Sequence, residues 1–405
     1  MTKRREYFRI TKLARRYDRQ TGKFTFDIVY ETATEMTPRT IAVAEAFGLG
    51  IDKTQKFAIY DYAELKISPK DIVYITGDSG SGKSVLLKAI KQDLREEATD
   101  MAEIQPDPEK PIIDTIGKNM NEALELLSKA GLNYAFLFIR RFYELSDGQK
   151  YRYKIAKLME SGKQWWIADE FCSMLDRDTA KIVAFNMQKI ARQTGKAVIV
   201  ATTHTDLFED LNPSVRLHKR FGKEISVSYY QNELARECSL AREMRIEEGS
   251  LAEYKKLSLF HYRTSHCPPP RKIFALKRGD ELCGVIVYSF PPPTTFGRGK
   301  VWRGDFHRLQ REVSIISRVV VHPKYRTVGL GARLVRETLP LIGTPFVEMI
   351  AVMAKYNPFA EKAGMRKIAE QPPSKEALRI SDVLSCLGFN LQLLGSEGHL
   401  KQKLE

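Results

Sequence analysis

The octapeptide GDSGSGKS at residues 77–84 is the stretch whose residue types and spacing most directly indicate chemistry. An apolar, strand-like run precedes it, and residues 85–90, which have helical spacing, follow it. Glycines let successive backbone N–H groups of such a turn point at one anion, and the following helix aims the positive end of its dipole at the same place. The pattern predicts a loop for a nucleoside triphosphate, with the Lys83 ammonium at the β- and γ-phosphates and the Ser84 hydroxyl on Mg²⁺. The alternative is a glycine- and serine-rich turn that matches by chance.

Two adjacent acids follow a second strand-like run, at residues 164–168. At this strand end the Asp169 carboxylate would contribute to the Mg²⁺ shell, and Glu170 would act as general base on a water molecule. Paired acids at such a place could instead cap the next helix. A third strand-like run, residues 197–203, ends at His204, which is a candidate contact for the γ-phosphate. A packing or surface role is the alternative for this histidine.

The sequence LSDGQ at residues 145–149 opens another helical pattern. Ser146 has the side chain of a good N-cap residue. Gly148 permits a close backbone approach at the beginning of the helix, where an anion is the favoured ligand.

Taken in order, GDSGSGKS, LSDGQ, WWIADE, SMLD and TTH resemble the motifs of the ABC-type ATPase domain, over roughly residues 40–230. The resemblance implies that Glu170 polarises the attacking water and that His204 contacts the γ-phosphate. It further implies an ATP-dependent homodimer, in which the LSDGQ segment acts on ATP held by a second copy of the chain. The residues predicted to bind ATP are Phe47, Ser79, Gly80, Ser81, Gly82, Lys83, Ser84, Val85, Gln105 and Asp169. Those predicted to act in trans are Ser146, Gly148, Gln149 and Asp176, and those for Mg²⁺ are Ser84, Gln105 and Asp169.

Three positions depart from this pattern or are assigned less directly. Asp147 stands where the resembling motif usually has glycine. Gln105 is the candidate for the glutamine-bearing loop, because the sequence IQPDP precedes the helical pattern at residues 119–131. Phe47 is the candidate for stacking on the adenine ring, with core packing as the alternative.

A second glycine turn follows a long β-branched run at residues 313–321. His322 and Pro323 end that run, and the turn contains Arg326, Gly329 and Gly331 before another helical pattern. The turn again indicates an anion site at the beginning of a helix. Since it lacks the GK[ST] element, a diphosphate held by backbone N–H groups fits better than a triphosphate with Mg²⁺.

This second turn resembles motif A of the GNAT acyltransferases, [QR]xxGx[GA]. The resemblance implies that backbone groups of Val319 and Val321 pair with the pantetheine arm of acetyl-CoA, and that a strand amide near Val320 stabilises the thioester oxyanion. In the segment NPFAEKAGM, Ala360 takes the position of the usual tyrosine acid, for which Tyr356 is a candidate substitute. The residues predicted to bind acetyl-CoA are Val319, Val321, Arg326, Thr327, Val328, Gly329, Gly331, Ala332 and Asn357.

Length and composition fit two globular domains. The chain has 405 residues, 43% of them hydrophobic and 28% charged, and we predict domains at residues 1–240 and 241–405. The predicted fold class is α/β, a P-loop ABC-type ATPase domain followed by a GNAT-like α+β acyltransferase domain. A charged helix is expected to connect them over residues 236–248.

The composition also bears on location and partners. No apolar run approaches the ~18 residues of a membrane span, and the five scattered cysteines indicate a cytoplasmic protein with reduced thiols. The net charge of +15 fits a polyanionic partner such as RNA or DNA, or simply the needs of nucleotide binding, coenzyme A binding and solubility.

The whole chain resembles a family of soluble ABC-type ATPases fused to a predicted acetyltransferase domain. The resulting hypothesis is an ATP-driven dimer that uses ATP, Mg²⁺ and acetyl-CoA and acts on RNA or DNA. The alternatives are a protein or small-amine acetyltransferase, a nucleic-acid-binding ATPase with a non-catalytic second domain, and a transport ATPase with a separate membrane partner.

Overall fold

The computed structural model describes residues 8–18, 20–32, 36–48, 55–132, 135–261, 267–351, 358–370, 375–389 and 397–404. The described strands are β1 (Phe8–Asp18), β2 (Lys23–Thr32), β3 (Gln55–Lys66), β4 (Ile72–Gly77), β5 (Ala98–Asp100), β6 (Trp165–Ala168), β7 (Ala197–Thr202), β8 (Val215–Lys219), β9 (Ile225–Tyr229), β10 (Arg245–Glu248), β11 (Pro270–Arg278), β12 (Glu281–Ser289), β13 (Val313–Val321) and β14 (Phe346–Met349).

The described helices are α1 (Pro38–Phe47), α2 (Lys83–Leu94), α3 (Met120–Ala130), α4 (Ala135–Phe138), α5 (Asp147–Glu160), α6 (Arg177–Thr194), α7 (Phe208–Leu211), α8 (Ser239–Arg242), α9 (Leu251–Ser258), α10 (Phe306–Glu312), α11 (Leu330–Thr338), α12 (Phe359–Lys362), α13 (Lys375–Cys386) and α14 (Glu397–Leu404). None of these helices combines the length and the apolar content needed to cross a membrane.

A six-stranded sheet forms the centre of the first domain, in the order β5-β6-β7-β4-β8-β9. Its strands are parallel except for β9, which pairs antiparallel with β8 at one edge. Every residue of β4 is buried, as expected for a strand covered on both faces. Because the strands are parallel, the segments that follow β4, β5, β6 and β7 lie along the same edge of the sheet, where ligands of such sheets bind.

Two further layers cover this sheet. The antiparallel sheet β1-β2-β3 packs with α2 on one face, where Phe24, Tyr60 and Leu86 share a core with residues of β4. On the other face, α3, α5 and α6 form a larger core around Trp166 and Tyr153. The predicted helix at residues 119–131 is confirmed as α3, which Asn119 caps by accepting a hydrogen bond from the Glu122 amide.

The second domain contains a five-stranded sheet in the order β10-β11-β12-β13-β14. All its pairs are antiparallel except β13 with β14, which are parallel. That parallel pairing extends only from Val313 to Ile316, so among the described strands residues 318–321 of β13 are paired with β12 alone. Helix α9 packs on one face of the sheet and α11 on the other.

The segment between the two large sheets differs from the expected helix over residues 236–248. It contains only the short α8 and then β10, which pairs with residues 274–277 of β11. The prediction was wrong because tertiary pairing at the sheet edge outweighs the helical tendency of this charged run. Cys238 and Leu240 pack in the core of the second domain, and the boundary near residue 240 stays a prediction.

Candidate functional sites

The glycine loop joins β4 to α2 in a backbone conformation that requires glycine. Gly77 has a φ of +146°, and a Cβ atom built there would lie 1.9 Å from the carbonyl oxygen of Lys219. Gly82 precedes α2 and has a φ of +101°. A Cβ atom built on Gly82 would lie 2.4 Å from the side chain of Ile59. The Tyr60 hydroxyl donates a hydrogen bond of 3.1 Å to the Gly82 carbonyl, a support that sequence reasoning missed.

Lys83 and Ser81 give this loop the character of an anion site. The Lys83 ammonium donates to the carbonyl oxygens of Gly77 at 2.9 Å and Asp78 at 2.6 Å. Burial lowers the pKa of Lys83, whereas the carboxylates of Asp169 and Asp78 oppose that shift. The Ser81 hydroxyl is buried and has no hydrogen-bond partner among the described residues. A buried hydroxyl of this kind fits a phosphate oxygen, and the loop therefore fits ATP.

The predicted Mg²⁺ ligands lie along the same sheet edge. Ser84, in the first turn of α2, is exposed, and Asp169 directly follows β6. Gln105 follows β5, the neighbour of β6, and is also exposed. The described residues contain no cluster of three or more histidine, cysteine, aspartate or glutamate side chains that could hold a metal ion. This donor set fits Mg²⁺, which is usually held by one or two carboxylates together with substrate phosphates.

Glu170 and His204 approach this edge from β6 and β7. Glu170 is exposed and has a φ of +47°, a strained conformation for a residue with a Cβ atom, and such strain is concentrated at functional sites. The amide of the next residue, Phe171, donates to the Ala201 carbonyl of β7 at 2.8 Å and fixes the turn. The carbonyl of His204 accepts a hydrogen bond from the Tyr74 hydroxyl of β4, which ties the end of β7 to the central strand.

The other residues predicted to bind ATP differ in their exposure to solvent. Ser79 and Gly80 are exposed, and Val85 is half-buried in α2. Phe47 ends α1 with 76% of its side chain exposed. No contact joins its ring to the glycine loop among the described residues, and its adenine role stays a prediction.

The segment predicted to act in trans begins α5 beside the beginning of α6. Ser146 is the exposed N-cap residue of α5, and its amide donates to the Gln149 side chain at 3.0 Å. A Cβ atom on Gly148 would lie 2.9 Å from the Thr179 methyl group, so the glycine allows the two helices to meet. Asp176 caps α6 by accepting from the Thr179 amide at 3.1 Å. The structure thus brings the four residues together at the beginnings of α5 and α6, where Ser146 and Asp176 are exposed and Gly148 and Gln149 are half-buried.

The second glycine turn connects β13 to α11. Gly329, with a φ of +91°, is the N-cap residue of α11, and a Cβ atom there would project into open space. Thr327 has a φ of +79°, although it is β-branched. Gly331 and Ala332 lie in the first helical turn, whose N–H groups have no partner within the helix. N–H groups without a partner in the helix, beside the exposed Gly329, fit a diphosphate, as the sequence predicts.

The other predicted acetyl-CoA residues have structural partners. Arg326 donates to the carbonyls of Val321 at 3.2 Å and Phe260 at 3.3 Å, so its guanidinium braces the strand end. Val319 and Val321 are half-buried on the part of β13 that β14 leaves unpaired, and Val328 is buried. Ala360 is buried in α12, next to Phe359, which packs against Gly331. Asn357 and Tyr356 lie outside the described residues.

A β-bulge in β13 is a feature that sequence reasoning missed. The pairing of β12 with β13 shifts between Val287 and Tyr288, so Ser317 has no partner residue in the ladder. The Ser317 hydroxyl donates to the Val287 carbonyl at 3.1 Å and lies 2.8 Å from the Ser289 hydroxyl. Bulges re-aim backbone groups and are common next to active sites. This one lies where β13 and β14 separate.

The connection between β12 and β13, residues 290–312, forms a basic and aromatic surface that we call the 290–312 loop. The side chains of Phe290, Phe296 and Phe306 are 47%, 53% and 54% exposed. The Arg271 guanidinium lies 4.5 Å from the centre of the Phe290 ring. The exposed basic side chains of this loop are Lys300, Arg303, Arg308 and Arg311.

One largely buried ion pair fixes the 290–312 loop to the sheet. The Arg298 guanidinium contacts Glu348 of β14 at 2.6 and 3.0 Å and donates to the carbonyls of Pro292 and Pro293. The Arg298 side chain is only 8% exposed. Thr295 adds a hydrogen bond of 3.1 Å to the same carboxylate. The exposed rings are therefore carried by an ordered loop beside β14.

Replacing Glu348 by alanine should lower the free energy of unfolding by about 3 kcal/mol, because it leaves the buried Arg298 charge unpaired. Urea denaturation of the full chain measures the change. Glu125→Ala is the matched control, since the Glu125–Lys129 pair on α3 is about half exposed and should contribute under about 1 kcal/mol. Equal losses in both variants would contradict a structural role for the Arg298–Glu348 pair.

Comparison with known proteins identifies relatives for each domain. The model of the acetyltransferase (GNAT) family matches residues 235–342. The cytochrome c biogenesis ATP-binding export protein CcmA of Brucella abortus is 30% identical over 179 residues, covering 37% of this chain and 80% of that protein. An uncharacterized ABC transporter ATP-binding protein of Methanocaldococcus jannaschii is 23% identical, covering 57% of this chain and 91% of that protein.

Solved structures also align with part of the chain. A dimeric bacterial ABC transporter cassette has 19% sequence identity and a TM-score of 0.37, covering 44% of this chain and 93% of that structure. The protein cbiO1 of Clostridium perfringens, part of an ABC transporter complex, has 17% identity and a TM-score of 0.36. The alignment covers 42% of this chain and 82% of that structure. Together with the glycine loop and the parallel sheet, the sequence relationship to CcmA shows that this chain belongs to the ABC-type ATPases, and the family match shows that it carries a GNAT acetyltransferase domain after the ATPase domain.

Proposed function

We propose that the chain is an ATP-hydrolysing dimer that controls acetyl transfer from acetyl-CoA to a nucleic acid. The observation that carries the ATPase part is the convergence of three segments on one edge of the six-stranded sheet. Lys83 and Ser84 follow β4, Asp169 and Glu170 follow β6, and His204 follows β7.

The proposed hydrolysis assigns one role to each group at this edge. The glycine loop and Lys83 bind the phosphates, and Ser84, Asp169 and Gln105 hold Mg²⁺, which supplies charge stabilisation at the phosphates. Glu170 takes a proton from the attacking water, and His204 orients the γ-phosphate. Because Ser146 and Asp176 are exposed on the same surface, they are available to a second copy of the chain and its ATP.

The proposed acetyl transfer uses the glycine turn before α11 and the unpaired part of β13. Amides of residues 327–332 bind the diphosphate of acetyl-CoA, and the edge of β13 at Val319 and Val321, beyond its pairing with β14, pairs with the pantetheine arm. The bulge at Ser317 frees backbone groups from the ladder near the predicted oxyanion amide. The acceptor nitrogen attacks the thioester carbon of acetyl-CoA, so that an N–C bond forms as the C–S bond breaks, and the proton lost by the nitrogen balances the charge of the departing coenzyme A thiolate.

The 290–312 loop supports nucleic acid as the acceptor. Single-stranded nucleic acids bind surfaces that combine cations with aromatic rings on which bases stack, and this loop exposes both. Its anchor, Glu348, pairs with Ile315, two residues from the bulge at Ser317. A strand bound to the loop would therefore lie near the acetyl end of the coenzyme.

Replacing Phe296 or Phe306 by alanine should weaken binding of a labelled single-stranded RNA or DNA about tenfold, since base stacking contributes ~1–3 kcal/mol per base. Fluorescence anisotropy at several salt concentrations measures this, and the logarithm of the affinity should fall steeply with the logarithm of salt. The control is Phe221→Ala, which removes a ring that is 79% exposed in the first domain. A shallow salt dependence, or an equal loss in the control, would contradict the nucleic-acid acceptor.

The acceptor class itself is tested by incubating the protein with labelled acetyl-CoA, ATP and total cellular RNA, DNA and protein. We expect label in RNA or DNA. Label in protein or small amines would indicate the alternative acetyltransferase. Calorimetry without acetyl-CoA binding would indicate a non-catalytic second domain, an alternative that Ala360 at the usual tyrosine position supports.

A further inference from the structure

The glycine turn before α11 rests on the ATPase domain. The Lys189 ammonium of α6 donates a hydrogen bond of 2.7 Å to the Thr327 carbonyl within the turn. Arg152 of α5 donates to the carbonyls of Pro323 at 3.1 Å and Lys324 at 2.9 Å, just before the turn. Two helices of one domain therefore hold the proposed acetyl-CoA loop of the other.

Shape complementarity adds to these hydrogen bonds. Gly131, which ends α3, lies so close to the turn that a Cβ atom on it would be 2.5 Å from the Thr327 methyl group. Ile182 and Phe185 of α6 pack in the core of the second domain. Since Thr327 is a β-branched residue with positive φ, its conformation needs support from its surroundings. The ATPase domain provides that support.

The charges at this junction indicate an anion. Burial, and then the positive charge of Lys362, lowers the pKa of Lys189 to about 8. Burial, and then the charge of Arg326, lowers the pKa of Arg152 to about 10. In the described part of the chain, the hydrogen bonds of Lys189 and Arg152 go to carbonyl oxygens. A diphosphate bound at the turn would neutralise this accumulation of positive charge.

The same two helices carry the residues predicted to act on the second copy's ATP. Helix α5 begins after Ser146 and has Arg152 in its second turn. Helix α6 begins after Asp176 and has Lys189 in its fourth turn. Near the beginning of α6, Asp178 contacts Lys324 at 2.8 Å and Arg278 at 2.9 Å. A change in the position of α5 relative to α6 would therefore alter the contacts on both sides of the turn.

We propose that Arg152 and Lys189 are positioning residues of the acetyl-CoA site, and that through them closure of the ATP-bound dimer and binding of acetyl-CoA are coupled. The inference rests on the proposed ATPase and acetyl-CoA sites. Because coupling of binding is reciprocal, each ligand must change the affinity of the other by the same factor, typically ~5–150-fold.

The first test titrates acetyl-CoA into the wild-type full chain by calorimetry, without nucleotide and with saturating Mg²⁺ and a non-hydrolysable ATP analogue. We expect the two dissociation constants to differ at least about fivefold. The reciprocal titration, analogue into protein with and without acetyl-CoA, should give the same factor. Equal affinities in both states would overturn the coupling and leave the proposed function intact. Absence of any acetyl-CoA binding would instead overturn the proposed function.

The second test asks whether Lys189 transmits the effect. In the Lys189→Met variant, the factor by which the ATP analogue changes the affinity for acetyl-CoA should fall towards one. Lys189→Arg keeps a hydrogen-bond donor and a positive charge and should restore part of that factor. Lys181→Met is the matched control on the same helix, because no described hydrogen bond joins Lys181 to the turn. If this factor is unchanged in Lys189→Met, the proposed role of Lys189 is overturned. That holds even where acetyl-CoA affinity falls equally with and without the analogue. Thermal unfolding checks that each variant is folded.

Discussion

Replacing Glu170 by glutamine should reduce ATP hydrolysis at least about 100-fold while ATP binding persists, because general base catalysis contributes 10²–10⁴-fold and an amide cannot take the proton of the attacking water. The substitution is nearly isosteric, so the strained backbone at this position, with its φ of +47°, meets a side chain of the same size. The nucleotide contacts proposed for Lys83 and Ser84 would remain, and the proposed dimer, once closed around ATP, could no longer open by hydrolysis.

Two measurements follow from this expectation. Phosphate release gives the rate, and light scattering with and without saturating ATP gives the oligomeric state, which should shift from monomer to dimer only in the Glu170→Gln variant with ATP. Glu96→Gln is the control, since Glu96 is 99% exposed and lies between α2 and β5, at the opposite edge of the sheet. A Glu170→Gln variant that stays monomeric with saturating ATP would refute the dimer model. Undiminished hydrolysis would remove Glu170 from its proposed role.

The parts of the fold that could be predicted are those determined by local sequence. GDSGSGKS lies between a strand and a helix, as its neighbours indicate, since glycine positions and capping residues act within a few residues. The hairpin of β11 and β12 likewise follows from a turn at Gly279 between two apolar runs. The sheet edge that collects Asp169, Glu170 and His204 follows once the strands are known to be parallel.

The parts that could not be predicted depend on residues far apart in sequence. Arg298 and Glu348 are fifty residues apart, and nothing local to either marks the ion pair. Lys189 meets Thr327 across the domain junction, at a distance of 138 residues. The bulge at Ser317 depends on the register of two strands, which a β-branched run does not reveal. Of these three features, the Lys189–Thr327 contact joins the two domains, and the proposed coupling rests on it.

The strongest effect on the second domain is expected from Gly329→Val. A valine at a φ of +91° strains the turn, and its side chain would fill the open space through which a diphosphate reaches the amides at the beginning of α11. Hydrogen bonds to a charged group contribute ~1.5–3 kcal/mol each, so the loss of two of them lowers acetyl-CoA affinity about 100-fold or more. Calorimetric titration of acetyl-CoA measures this loss.

The matched control for this variant is Gly343→Val in the same domain. Gly343 also has a positive φ, of +81°, is exposed and has no atom near the position of a Cβ, but it lies between the C-terminal end of α11 and β14, at the opposite end of α11 from Gly329. The two substitutions impose a similar backbone strain, which thermal unfolding should show as similar losses of stability. Only the loss at Gly329 should be accompanied by loss of acetyl-CoA. If both variants bind acetyl-CoA as the wild type does, the turn before α11 is not the diphosphate site. If both lose it equally, strain in the domain, and not contact with the diphosphate, explains the effect.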